Sequence, residues 1–161
     1  LHPRVRRQRQ MCIRDRIDYR RIRGIGAADA ANYIEELVLR AEDEGFLSRS
    51  AAASVSKALL AEYLTSALAQ RIAGADEVRK EIPFTQLIEA EGSVTAVQGM
   101  IDCLIREGDK YTVIDFKTDE HPDPDRYRIQ LACYAESIRR TFGSEPDRIV
   151  YFMKQNQEVQ L

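Results

Sequence analysis

Asp115 and Lys117 stand two residues apart in YTVIDFKTD (111–119). That stretch is rich in β-branched and aromatic residues and reads as a strand. Alternation puts Ile114 and Phe116 on one face, and Val113, Asp115 and Lys117 on the other. A carboxylate and an ammonium on one face of a strand that looks buried are costly unless they are paired or bind a metal. A structural ion pair is one solution and a reaction centre is the other. A second carboxylate, Asp102, lies just upstream in QGMID (98–102). Two carboxylates suit Mg²⁺, a hard cation that takes oxygen ligands and keeps several waters; Mn²⁺ is the alternative. A lysine beside them positions a water or offsets charge building on a phosphate. Gln130 and Tyr134 in QLACY (130–134) are spaced i, i+4 and share one helix face.

The elements that must position these residues follow from periodicity. SVTAVQGMIDCLIRE (93–107) and YTVIDFKTD (111–119) read as strands joined by the turn REGDK (106–110), a hairpin with one acid on each arm. EVRKEIPFTQLI (77–88) is an earlier strand, and Pro83 marks it as an edge or bulge position. EHPDPD (120–125) is a loop. A helix follows, with Leu131, Ala135, Ile138 and Phe142 as its stripe and Gly143 as its stop. DRIVYFMKQ and EVQL close the chain as short strands. Upstream the period is helical: Tyr33, Leu37 and Ala41 with Ile34 and Val38, then a stop at Gly45. A second run goes from the caps Ser48 and Ser50 to Gly74, with a break expected between Tyr63 and Ser66.

These motifs resemble a known family. The order G-x-I-D, D-x-K-T and Q-x-x-x-Y, preceded by VRKEIPF, is similar to the RecB-type branch of the PD-(D/E)xK nucleases, and in particular to AddA-type nuclease domains. The likeness covers roughly residues 30–161. It implies a restriction-endonuclease-like α/β core, a small mixed sheet flanked by helices with a helical lead-in. It implies Mg²⁺- or Mn²⁺-dependent DNA hydrolysis within a helicase–nuclease complex that repairs double-strand breaks. The partners it implies are DNA and AddB. Asp102 and Asp115 would be metal ligands, with the main-chain carbonyl of Phe116 adding another. Lys117 would be the catalytic lysine. Gln130 and Tyr134 would brace the site and approach the DNA, and Glu81 would support it. The family's histidine in an A-x-x-H-x-x-L-E setting has no match between Ala27 and Gly74. The chain is therefore expected to be a fragment that by itself binds the cation weakly and cuts DNA poorly, with ATP used only by a helicase region it lacks. Other RecB-like or CRISPR-associated exonucleases, and a non-catalytic domain that binds DNA or a protein partner, are the rival readings. Tyr127 and His121 read as solvated loop residues.

Composition agrees with a soluble protein, and the resemblance implies the cytoplasm of a bacterium. Of 161 residues, 44% are hydrophobic and 31% charged, and the net charge is −2. Cys12, Cys103 and Cys133 have no C-x-x-C spacing, so reduced thiols and no iron–sulfur cluster are expected. The expected organisation is a basic arm at 1–24, a helical lead-in at 25–75 and a nuclease core at 76–161. The arm is crowded with arginine. It reads either as a nucleic-acid-binding segment or, over 1–16, as non-native sequence with nothing to pack.

Overall fold

The change from helical to strand periodicity after Gly74 coincides with a division of the molecule. The computed structural model describes residues 11–90 and 93–161. One unit ends at Gly74 and the other spans Ala75–Leu161.

The first unit is helical. α1 (Ala27–Asp43) buries Tyr33, Ile34, Leu37, Val38 and Ala41, the stripe expected from spacing. It stops because Gly45 takes φ +76, a left-handed conformation that glycine adopts without a Cβ penalty. Ser48 caps α2 (Arg49–Ala52) by accepting from the Ala51 N–H at 3.2 Å. α3 (Lys57–Leu64) and α4 (Ala67–Gly74) follow. The second helical run therefore breaks twice, at 53–56 as well as before Ser66. At the first break the Ser54 hydroxyl donates to the Ala51 carbonyl, 2.7 Å away; at the second Thr65 does the same to Glu62 at 2.9 Å. Such local bonds compete with helix continuation.

The expectation of an unpacked segment at 1–16 is corrected over residues 11–16, and the rest of the arm to residue 24 packs as well. A helical turn at 11–14 and a 3-10 turn at Tyr19–Ile22 bury Ile13, Ile17, Tyr19 and Ile22. The hydroxyls of Tyr19 and Tyr63 meet at 2.7 Å in the interior. The Gln70 amide donates to the Ile22 carbonyl at 3.0 Å and accepts from the Gly24 N–H at 2.7 Å. Four apolar residues are hidden among arginines, of which Arg20, Arg21 and Arg23 stay exposed. Residues 1–10, His2 among them, lie outside the described residues.

The second unit is a five-stranded mixed sheet: β1 (Glu77–Ala90), β2 (Ser93–Glu107), β3 (Lys110–Lys117), β4 (Asp147–Phe152) and β5 (Gln157–Gln160), in that spatial order. β1, β2 and β3 are antiparallel neighbours, β3 and β4 are parallel, and β4 and β5 are antiparallel. Pro83 sits on the edge strand, where a missing N–H is tolerated. The parallel step needs a crossover, and α5 (Arg128–Phe142) provides it. Its Leu131, Tyr134 and Ile138 pack with Leu104, Val113, Val150 and Phe152. Each such fully buried aliphatic side chain contributes about 1.5–3 kcal/mol. The predicted α/β class, with the acids on a central hairpin, is the architecture observed. Among the described residues no helix is long and apolar enough to cross a membrane.

Candidate active site

Register brings the acids together. β2 and β3 pair from Cys103↔Ile114 down to Glu107↔Lys110. One step beyond that ladder sets Asp102 opposite Asp115. There the Asp102 side chain takes over from the backbone: its Oδ2 accepts the Phe116 N–H at 2.9 Å. On the other side, Lys80↔Cys103 and Ile82↔Ile101 flank a gap in which Glu81 faces Asp102. Glu81, Asp102 and Asp115 thus form one row across three strands. Glu81 has φ +50, a strained value for a residue with a Cβ, and its side chain is exposed.

The three carboxylates differ in setting. Asp115 is 1% exposed and Asp102 is half-buried. Asp115 Oδ2 lies 2.7 Å from Lys117 Nζ, an ion pair by distance. The opening alternative, ion pair or reaction centre, is therefore not exclusive: the pair exists, and a second carboxylate stands beside it. Among the described residues no group of three or more His, Cys, Asp or Glu side chains is close enough to hold a metal. The donor set for a cation is two carboxylates, which fits Mg²⁺ because that ion is usually held by one or two and keeps its waters. The main chain of Phe116 meets the site through its N–H.

α5 closes over the site from the Val113 side of the sheet. Lys117 Nζ donates to Gln130 Oε1 at 3.2 Å, and the Gln130 amide donates to the Tyr134 hydroxyl at 2.5 Å. Gln130 and Tyr134, spaced one helical turn apart, thus form a relay toward Lys117. Tyr134 is 5% exposed. Burial, with Asp115 and Asp102 nearby, pushes its hydroxyl up to about 12, so it stays protonated and neutral. Its ring takes an edge contact from Phe84 at 5.2 Å.

That contact explains the glycine of G-x-I-D. Phe84 pairs across the ladder with Gly99. A Cβ at Gly99 would lie 2.6 Å from the Phe84 ring. Glycine lets that ring lie flat against β2 and reach Tyr134.

Sequence reasoning misses Tyr127 and Asp119. Tyr127 ends a 3-10 turn (Pro124–Tyr127) leading into α5. The expectation that it is solvated is corrected: it is half-buried, with the Lys117 ammonium 4.4 Å from its ring centroid and its hydroxyl donating to Asp119. The one signal in the sequence is its position three residues before Gln130. His121 is exposed, as expected.

A sheet with paired carboxylates and a lysine at the end of its central hairpin defines a class of nuclease fold, and the comparisons agree. Residues 16–160 match the PD-(D/E)XK nuclease superfamily, and the chain belongs to it. The core is restriction-endonuclease-like in that sense. It is similar to AddA proteins, which carry the name of an ATP-dependent helicase/nuclease. The one from Bacillus mycoides is 29% identical over 80% of this chain and 12% of its own length. The one from Desulforamulus reducens is 31% identical over 68% of this chain and 10% of its own. The Bacillus cereus Q1 protein is 29% identical over 83% and 13%. The chain spans about a tenth of the length of the curated relatives it matches.

Proposed function

We propose that the chain is the nuclease part of a helicase–nuclease that degrades DNA ends in double-strand break repair, hydrolysing phosphodiesters with a divalent cation. The observation that carries this reading is the convergence of Asp102 and Asp115 at the open end of the β2–β3 ladder, with Lys117 on the same side. Asp102 and Asp115 would hold the cation, with the Phe116 carbonyl as a further oxygen. Bound there, Mg²⁺ or Mn²⁺ would supply Lewis-acid polarisation of the scissile phosphate and a water of lowered pKa.

The chain's own residues do the rest. Lys117 orients the attacking water and offsets charge on the phosphate as the bond to the leaving oxygen breaks. Gln130 holds Lys117 on the side the incoming strand would approach, and the buried Tyr134 braces Gln130 from behind. Glu81 stands at the mouth of the row and supports it. DNA is the substrate. The names of the relatives support a setting beside an ATP-driven helicase, and AddB is the partner that fits. A cytoplasmic setting fits the free cysteines.

End-labelled linear DNA incubated with the chain and Mg²⁺ or Mn²⁺ tests this. Expected are shortened products, formed slowly by this chain alone, that vanish with chelator and with Asp102→Asn. Cleavage that survives both treatments, or no cleavage under any of these conditions, would overturn the reading.

A further inference from the structure

The proposed role of Lys117 demands that its flexible four-carbon stem hold one position, against the many rotamers open to it. Asp115 and Gln130 supply two contacts, but each already has a proposed role of its own: Asp115 as a metal ligand and Gln130 on the helix proposed to approach the DNA. A third contact belongs to neither. The Tyr127 ring lies under the ammonium at 4.4 Å, within the range where a cation is drawn to an aromatic face.

The ring is itself fixed from three sides. It packs against Phe152 of β4, with centroids 6.2 Å apart. Its hydroxyl donates to Asp119. Its backbone ends the 3-10 turn that Pro124 begins. Asp119 is anchored in turn by the turn between β4 and β5. The Gln155 amide donates to the carbonyls of Asp119 and Glu120 at 3.2 and 2.9 Å, and Lys154 pairs with Glu120. The phenol does not become a phenolate in the working pH range, because burial and Asp119 hold it up at about 12.

We propose that Tyr127 is a positioning residue for Lys117, a ring platform locked by Asp119 and the β4–β5 turn that sets the ammonium beside Asp115. The inference rests on the nuclease reading for its catalytic consequence and on geometry alone for its structural one. The ring is the working part and the hydroxyl is its tether. A purely structural tyrosine would show no preference for an aromatic replacement in kcat at equal folding.

Tyr127→Phe and Tyr127→Leu separate these cases, using the whole chain. The Lys117 ε-protons, read by NMR, should be shifted upfield by the ring in the wild type and in Y127F, and move toward the free-lysine value in Y127L. On DNA with Mn²⁺, Y127L should lose about tenfold in kcat relative to Y127F, with KM changed by less than about twofold. Unchanged Lys117 shifts in Y127L, or equal kcat in Y127F and Y127L, would overturn the proposal. If the wild type cuts no DNA, the nuclease reading fails, and the NMR shifts still decide whether the ring holds the lysine. If Y127L does not fold, Tyr127→Met, a flexible apolar filler with no ring current, gives the same decision.

Discussion

Replacing Asp115 with Asn separates a reaction centre from a structural ion pair. Asp115 is 1% exposed, and its Oδ2 is 2.7 Å from Lys117 Nζ. Breaking a fully buried pair costs about 3–5 kcal/mol because the surviving charge is left alone. Here the surviving charge keeps company: Lys117 still has the Gln130 oxygen at 3.2 Å and the Tyr127 ring, and its side chain is 19% exposed. Asp102 is also relieved of a like charge across the ladder. The expected loss without metal is therefore about 1 kcal/mol, or roughly 2–4 °C in melting temperature for a chain of this size. Mg²⁺ enlarges the gap. At a free concentration ten times its Kd, a cation bound only by the native state adds about 1.4 kcal/mol to the wild type. Asp115→Asn gains almost none of it. Melts with and without Mg²⁺, run beside cleavage of linear DNA on the same samples, read both quantities. A destabilised variant that cleaves at the wild-type rate per folded molecule, or one that keeps the full Mg²⁺ shift, would refute the reasoning.

Lys117→Ala should leave the Mg²⁺-induced rise in melting temperature in place while removing turnover, because the ammonium acts on water and phosphate rather than on the ion; titration calorimetry with the cleavage assay checks both. Gly99→Ala should cost about 1–3 kcal/mol, since a Cβ 2.6 Å from Phe84 forces the ring off its site, and it should perturb the Tyr134 ring resonances in NMR. Ile13→Ala should cost about 2–5 kcal/mol because Ile13 is fully buried; an unchanged melting temperature would restore the view that residues 11–16 pack on nothing.

The strands, their hairpin and the edge position of Pro83 are legible because alternation and turn residues are local signals. The convergence of Asp102 and Asp115 is legible only as a possibility: spacing puts one on each arm, but register decides whether they meet. Glu81 shows the limit in the other direction. Its place opposite Asp102 follows from pairing, yet its φ of +50 has no signature in VRKEIPF. Arithmetic places Gln130 and Tyr134 on one face, while their relay to Lys117 depends on how α5 crosses the sheet. Tyr127 escapes a sequence reading because EHPDPD looks like a solvated loop. The 3-10 turn begun by Pro124 folds that tyrosine back under the lysine, a tertiary outcome. In the arm, charge density masks a four-residue apolar set that only packing reveals.

Anomalous scattering from crystals soaked in Mn²⁺ locates the cation without requiring turnover. Expected is a peak at the carboxylates of Asp102 and Asp115, absent from Asp115→Asn crystals and retained in Lys117→Ala. A peak away from both aspartates, or one that persists unmoved in Asp115→Asn, would contradict that placement.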